Sequence, residues 1–432
     1  MTRRRKPPRG LIGAALAGLA ASGAAALPVR AAEPPLAALT VTGPPEIVFS
    51  AKEHACDGYD VPDAPTRAFR DAKGEIVLFG LHYQNRALRG ASFDVLKLDC
   101  RIVLRSGGNA DPAAYDDKSW ITATWSDDGA KVQALLHHEF QANTHPGRCR
   151  LKEYLACWYN TVLAVASSDG GASFPRPKTP QVVAAAPFRQ EVGQGRHRGF
   201  FNPSNIVTDG ALRYMFAATT GWDGQPSGAC LFRTADVADG SAWRAWDGEQ
   251  FSVRYADPYR SHKKPGRACR PIEPFPAPVG AVVRHRPSGA WIAVFQAAAD
   301  GGRFPEPGFY YAASRDLVAW DKPRLLIAGK TLYDSPCGAS ELIAYPSLLD
   351  REANGRNFDD VGDAAELYFA TLRIEGCAVT SDRNLVRRKV AIKVWPYAAV
   401  AVIRTPVSRG GRERPRSSCR RRRRARRRSS AR

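Results

Sequence analysis

The residues with the most chemical potential fall in a few short clusters. Asp60-Val61-Pro62-Asp63-Ala64-Pro65-Thr66-Arg67 sets two carboxylates and an arginine ahead of a β-prone run, and its two prolines stiffen the approach. His137-His138-Glu139-Phe140 ends another such run, where alternation puts His137 and Glu139 on one face and His138 on the other. Ser340-Glu341 leads into Tyr345-Pro346-Ser347-Leu348. A carboxyl beside an imidazole can serve as an acid or tune its neighbour. Two carboxyls of unequal proton affinity can cleave a glycosidic bond, about 5–5.5 Å apart for retention and wider for inversion. We therefore take Asp63, Glu139 and Glu341 as the candidate carboxyl set, with Asp60 and Tyr345 as alternates. Arg67, His137, Asn205 (within Asn202-Pro203-Ser204-Asn205) and the stacking ring of Trp222 are candidates for holding a saccharide. A plainer reading has the acids capping turns or pairing with Arg67 and Arg70. No sequence feature calls for a cofactor or metal. H-E-x-x-H fails at Ala142, and G-x-S-x-G, P-loop, EF-hand and C-x-x-C patterns are absent.

The elements that must position these residues repeat about every 50–70 residues. Each copy opens on a strand, a tight turn and a second strand: Thr66 to Phe79, Ile121 to Leu136, Asn205 to Phe216, Val279 to Phe295, and Tyr345 to Leu372 with a longer insertion. Each closes on a strand and a Ser/Thr-x-Asp turn followed by an aromatic: AVASSDGGASF from Ala164, LFRTADVADGSAWRAW from Leu231, YYAASRDLVAW from Tyr310, and Thr380 to Leu385 in the fifth. Two hairpins make a four-stranded sheet, and sheets that bury their faces against one another form a β-propeller. The expectation is an all-β, five-bladed propeller over residues 33–403, six-bladed if residues 40–56 and 250–275 add strands. An irregular sandwich is the competing architecture.

Charge sharpens the boundaries. The 432 residues hold 63 Lys+Arg against 42 Asp+Glu, a net +21. Residues 1–32 carry +6 and residues 404–432 carry +13, which leaves +2 on the body between them. The first segment reads as a signal peptide over residues 1–31, with Arg3 to Arg9 ahead of the apolar run Leu11 to Leu27 and cleavage near Ala31 or Ala32. The last reads as an Arg-rich tail unable to fold alone, and only through it would nucleic acid be a partner. No apolar run within 33–403 nears the ~20 residues that span a bilayer, so no anchor is expected after cleavage. Export places the protein in the periplasm or outside the cell. Eight of the nine cysteines lie in the body, and sequential pairing (Cys56 with Cys100, Cys149 with Cys157, Cys230 with Cys269, Cys337 with Cys377) is the disulfide hypothesis.

Ser167-x-Asp169-x-Gly171-x-Ser173-Phe174 resembles the Asp-box of sialidase-type propellers, and Ser314 to Trp320 resembles the blade motif of five-bladed furanosidase-type glycoside hydrolases. The chain is similar in this respect to the sialidase/arabinanase-like propeller superfamily. The resemblance implies a glycoside-hydrolase-like activity in which Asp63, or else Asp60, matches the first-blade general base. The other class of function open to such a fold is a non-catalytic propeller that binds glycan or protein in the cell envelope. Sialidase activity proper would need an arginine cluster, drawn from Arg67, Arg196 or Arg198, and Arg284 or Arg388, with Tyr345 and Glu341 as the reacting pair. The Arg-Ile-Pro entry of sialidases is missing, since Ala68-Phe69 follow Arg67. Mass spectrometry of the exported protein is expected to find its N-terminus near residue 32; recovery of residues 1–31 on it would refute the cleavage.

Overall fold

The computed structural model describes residues 35–186, 197–222, 224–261 and 266–395. Its strands sort into antiparallel meanders that follow one another along the chain. The first runs from Pro62–Arg70 through Ile76–Leu81 and Leu88–Gly90 to Lys97–Leu98. The second comprises Lys118–Trp125, Val132–Gln141, Trp158–Ser167 and Gln181–Ala184. In the third, Val207–Asp209 leads to Leu212–Thr219, Gly228–Thr234, Arg244–Trp246 and Phe251–Val253. The fourth is Val279–His285, Trp291–Ala297, Gly308–Ser314 and Arg324–Ala328. The fifth contains Glu341–Leu349, Ala364–Glu375 and Ala378–Val394, and its outer strand, Ala37–Ser50, comes from the other end of the body.

That last pairing runs antiparallel from Ala37↔Val394 to Ser50↔Asn384 and ties the two ends of the described body into one sheet. Residues 37–50, one of the two segments that could have added a blade, thus complete an existing sheet. Among the described residues, the other supplies only the edge strand Phe251–Val253. The first strands of the first and second, third and fourth, and fourth and fifth sheets lie side by side. Arg198–Phe201 joins the second sheet to the third, parallel to Trp158–Ser167 and antiparallel to Leu212–Thr219. The fifth returns to the first, where Glu341–Leu349 flanks Pro62–Arg70. This ring is the propeller arrangement. Long alternating and continuous apolar strands form it because each sheet buries both faces, one against each neighbour. Phe174 meets Phe79 between the first and second sheets, and Trp320 meets Phe275 between the third and fourth.

One turn falls elsewhere than the repeat predicts. Thr380 to Leu385 lies inside the strand Ala378–Val394, and the chain reverses earlier, at Gly376-Cys377. Gly376 has φ +64°, which a glycine adopts without steric cost, so the reversal is complete before the Thr-Ser-Asp triplet is reached. By contrast, Ser167 and Asp169 build their turn as the pattern predicts. Ser167 Oγ donates to Asp169 Oδ1 at 2.6 Å, and that oxygen also accepts from the Ala172 and Ser173 amides.

At the centre of the ring stands Arg67, only 2% exposed. Its guanidinium donates to Thr122 O (2.6 Å), Thr66 O (3.1 Å), Ser347 Oγ (2.8 Å) and Pro203 O (3.4 Å), reaching strands or loops of four sheets. The acceptors are free because the inner strands are irregular there. Pairing skips Thr122 between Ile121 and Ala123, and the register of Pro62–Arg70 shifts between Pro62 and Arg67. Asn205 joins the third sheet to the fourth in the same manner, donating to Val282 O at 2.7 Å and accepting from Val282 N at 2.8 Å. Around Arg67 only about 10 Å³ of space remains, so these two residues fill the axis of the ring. Burial pulls the guanidinium pKa down to about 9, and the four acceptors offset that desolvation. Replacement by alanine leaves Thr122 O and Pro203 O without a donor, at about 1–3 kcal/mol each. Arg67→Ala is therefore expected to lower the unfolding free energy by about 3 kcal/mol or more in urea titrations, and Arg67→Lys, with its single donor point, to recover little of it. A loss below about 1 kcal/mol would show that the axis does not depend on Arg67.

Candidate functional site

The site collects at one end of the ring, where inner strands begin and second strands finish. Asp63 sits in the irregular stretch between Pro62 and Arg67, which turns its side chain out of the ladder. Its Oδ1 accepts from Arg383 Nη1 (2.7 Å) and from the Tyr345 hydroxyl (3.3 Å); its Oδ2 accepts from Trp120 Nε1 (3.2 Å) and lies 3.7 Å from His82 Nε2. Four sheet positions thus meet on one carboxylate. Tyr345 occupies a comparable irregularity in Glu341–Leu349, with φ +61°, a strained value for an aromatic residue, and its amide is held by Gln296 Oε1 at 2.9 Å. Burial, with the nearby Asp63 charge adding to it, raises the Tyr345 phenol well above its ordinary pKa of 10, so it remains a hydrogen-bond donor.

Glu139 stands beside this centre on the second strand of the second sheet. Alternation puts His137, Glu139 and Gln141 on one face, and Glu139 accepts from His137 Nε2 (2.8 Å) and Gln141 Nε2 (2.6 Å). The Asn202 amide donates to His137 Nδ1 at 3.2 Å, which leaves Nε2 as the nitrogen that carries the hydrogen toward Glu139. Trp120 links the two carboxyls: its indole donates to Asp63 and its ring lies 5.6 Å from that of His137. Both charges act on the same neighbours. Asp63 and Glu139 each raise the phenol pKa of Tyr345 and of Tyr154, behind burial as the leading cause. His82, packed edge-on to Trp120 at 5.4 Å, is held below 6.5 by burial, against the pull of Asp63 and Glu139.

The remaining candidates lie elsewhere. Glu341 is exposed and lines a separate depression with Arg373 and Asp382. Asp60, 1% exposed, accepts from the Cys56 and Asp57 amides and pairs with Arg86 at 2.8 Å, so it builds the loop that carries Tyr59. Arg67 and Asn205 are committed to the axis. Trp222 packs edge-on to Phe200 at 5.4 Å and Tyr255 at 6.2 Å, within the third sheet. Arg284 lies over Trp291, near the turn end of its strand, and Arg388 bonds the Gly43 carbonyl. Arg196 lies outside the described residues, as do residues 1–31 and 404–432.

Three members of the centre, His82, Trp120 and Arg383, escaped the sequence reading. His82 follows the second strand of the first sheet, the position that His137 to Gln141 occupy in the second, and comparing the two copies would have exposed it. Arg383 was hidden by the apparent turn at Thr380 to Asp382. Around the centre, Tyr59 stacks on His82 at 6.0 Å and Tyr154 meets Trp158 edge-on at 4.6 Å. The loops bearing these tyrosines are bounded by Cys56–Cys100 and Cys149–Cys157, and Cys230–Cys269 and Cys337–Cys377 likewise lie at disulfide distance, with Cα separations of 5.7, 5.8, 6.0 and 4.3 Å respectively.

No known family profile matches the chain, and no curated protein matches its sequence. Solved structures of similar architecture include a thermostable family-43 glycoside hydrolase (11% identical, TM-score 0.39, 83% of this chain and 100% of that one). Another is the α-L-arabinanase of Cellvibrio cellulosa complexed with arabinohexaose (11%, TM-score 0.40, 76% and 91%). A third is an N-acetylgalactosamine deacetylase from F. plautii in complex with blood group B trisaccharide (12%, TM-score 0.42, 83% and 96%). At such identities the site rests on its own geometry.

His138, on the opposite face of its strand, supplies a pH signature. It is 1% exposed, accepts from the Asp117 amide at 3.3 Å, and its pKa lies well below 6.5 through burial, with the positive charge of Arg176 adding to it. A histidine whose folded pKa is depressed takes up its proton first in the unfolded chain. Stability is therefore expected to fall as pH drops below about 6.5, by up to about 1.4 kcal/mol per pH unit for each such histidine. Urea midpoints measured between pH 7 and 5 should fall less steeply in His138→Gln than in the unaltered protein; parallel slopes would contradict the assignment.

Proposed function

We propose that the protein is an exported, glycoside-hydrolase-like propeller that cleaves a saccharide with Asp63 and Glu139 as its paired carboxyls. The observation that carries this reading is their convergence on one mouth of the ring, joined through Trp120 and His137 and dressed by different partners. Asp63 faces a guanidinium, an indole and a phenol; Glu139 faces an imidazole and an amide. In this scheme Asp63 accepts a proton from water as the water oxygen bonds to the anomeric carbon. Glu139 gives its proton to the departing glycosidic oxygen as the carbon–oxygen bond breaks. Arg383 and Tyr345 orient the base, and His137 orients the acid. Export is supported by the basic and apolar N-terminal segment and by four cysteine pairs at disulfide distance, which suit an oxidising compartment.

One feature favours a second reading, a propeller that binds glycan without cleaving it. Three hydrogen bonds already fall on Asp63, two on Oδ1 and one on Oδ2, with His82 3.7 Å from the latter, so a water acting on this carboxylate has only the remaining site on Oδ2. Isosteric variants separate the readings. Asp63→Asn and Glu139→Gln should each lower kcat at least about a hundredfold on a cleaved glycoside while retaining the fold and saccharide binding. Reducing-sugar release across a panel of pentose and hexose glycosides is the assay. Release from none of them, with binding intact, would establish the binder.

A further inference from the structure

Linked to the carboxyl centre through shared neighbours is a second space whose chemistry differs from it. A cleft of about 540 Å³ opens where the third and fourth sheets meet, walled by Phe201, Pro276, Pro278, Ala298, Phe304 and Tyr333. Two short chains of contacts join it to the centre. Phe201 precedes Asn202, whose amide donates to His137 Nδ1. Tyr333 engages the side chain of Gln296, which holds the amide of Tyr345, and Tyr345 in turn donates to Asp63. These links set the cleft wall one or two residues away from groups that touch the carboxyls, so a group attached to a sugar there would have the cleft as its neighbouring apolar surface. Its volume falls in the range of small-molecule pockets and accommodates one or two fused rings.

The walls decide what that group is. A sugar ring carries several hydroxyls, and each needs a partner on leaving water. Three of the polar side chains that line the cleft already serve the backbone. Thr219 Oγ1 accepts from the Gly221 amide, and Thr220 Oγ1 donates to the His197 carbonyl. Asp300 Oδ1 accepts from both Gly302 N and Phe304 N, closing the turn that carries Phe304. What remains is largely proline, alanine and aromatic surface, with Tyr333, 46% exposed, at the threshold. Such a wall rewards burial of apolar area and stacks on a flat ring.

We propose that this cleft is an aglycone site, and that the substrate is a saccharide joined to an apolar, aromatic alcohol. The proposal rests on the glycoside-hydrolase reading for its reaction but not for its binding. The full-length protein should bind free 4-methylumbelliferone, followed by the probe's fluorescence, and Ala298→Trp should weaken that binding at least tenfold by filling the cleft. Ala299→Trp, at a more exposed wall position, provides an independent block if the first variant folds poorly. Asp63→Asn should leave binding of the free alcohol in place. On any glycoside that is cleaved, Ala298→Trp should lower the kcat/KM ratio of 4-methylumbelliferyl over methyl glycoside tenfold or more. Absence of binding by the free alcohol, or binding and rate ratios unmoved by both tryptophans, would overturn the cleft while leaving the carboxyl pair standing. Binding that both tryptophans block, in a protein that cleaves no glycoside, would uphold the cleft and overturn the hydrolase.

Discussion

The structure depends on how a ring of sheets fills its own axis. Inner strands that converge on a centre cannot all keep regular ladders there, because their backbones meet at angles that leave carbonyls and amides unpaired. Here the vacancies are answered by side chains: Arg67 collects acceptors from the first, second and fifth sheets and the loop before the third, and Asn205 pairs like a strand with Val282. The fourth and fifth sheets approach so closely that a Cβ on Gly280 would lie 2.1 Å from the Pro346 carbonyl. A glycine is required at that crossing.

The same irregularities that close the axis create the site. Register shifts between Pro62 and Arg67 and between Ala344 and Ser347 free the backbone on either side of Arg67 and Ser347, and they also carry Asp63 and Tyr345 toward each other. The hydrogen bonds of Arg67 and those of Asp63 therefore lie on successive turns of one distorted segment. Moving one would move the other, which couples the chemistry at the mouth to the packing beneath it.

The architecture was legible in the sequence because its signals are local. Hairpin turns and Ser-x-Asp turns recur at a regular spacing, and each is settled by residues within a few positions of one another, as the Ser167–Asp169 bonds illustrate. Asp63, Glu139, His137 and Tyr345 were legible for a related reason, since the repeat says which end of each strand faces the mouth. Arg67 and Asn205 were not separable from them by type. Both are polar residues on inner strands, and only the irregular register decides which polar group faces inward to the axis and which faces up to solvent. Arg383 shows the opposite limit. Its triplet mimics a turn, and the hairpin at Gly376 had already taken that role.

Two carboxyls proposed for opposite proton transfers must sit in unlike surroundings, and Asp63 and Glu139 do. Asp63 is tied to a full positive charge and to two neutral donors, Arg383 and Tyr345 reaching it from the fifth sheet and Trp120 from the second. Glu139 is tied to neighbours on its own strand, with the imidazole fixed in turn by the Asn202 amide. A sugar hydroxyl arriving at the mouth would compete with the indole and the phenol for Asp63, whereas the guanidinium, by its charge, is the hardest partner to displace. Substrate entry would then leave Asp63 held chiefly by Arg383, with more of the carboxylate open toward water. The hydrogen bonds on Asp63 are thus compatible with the proposed catalysis: two of the three come from neutral donors, which a saccharide hydroxyl can replace.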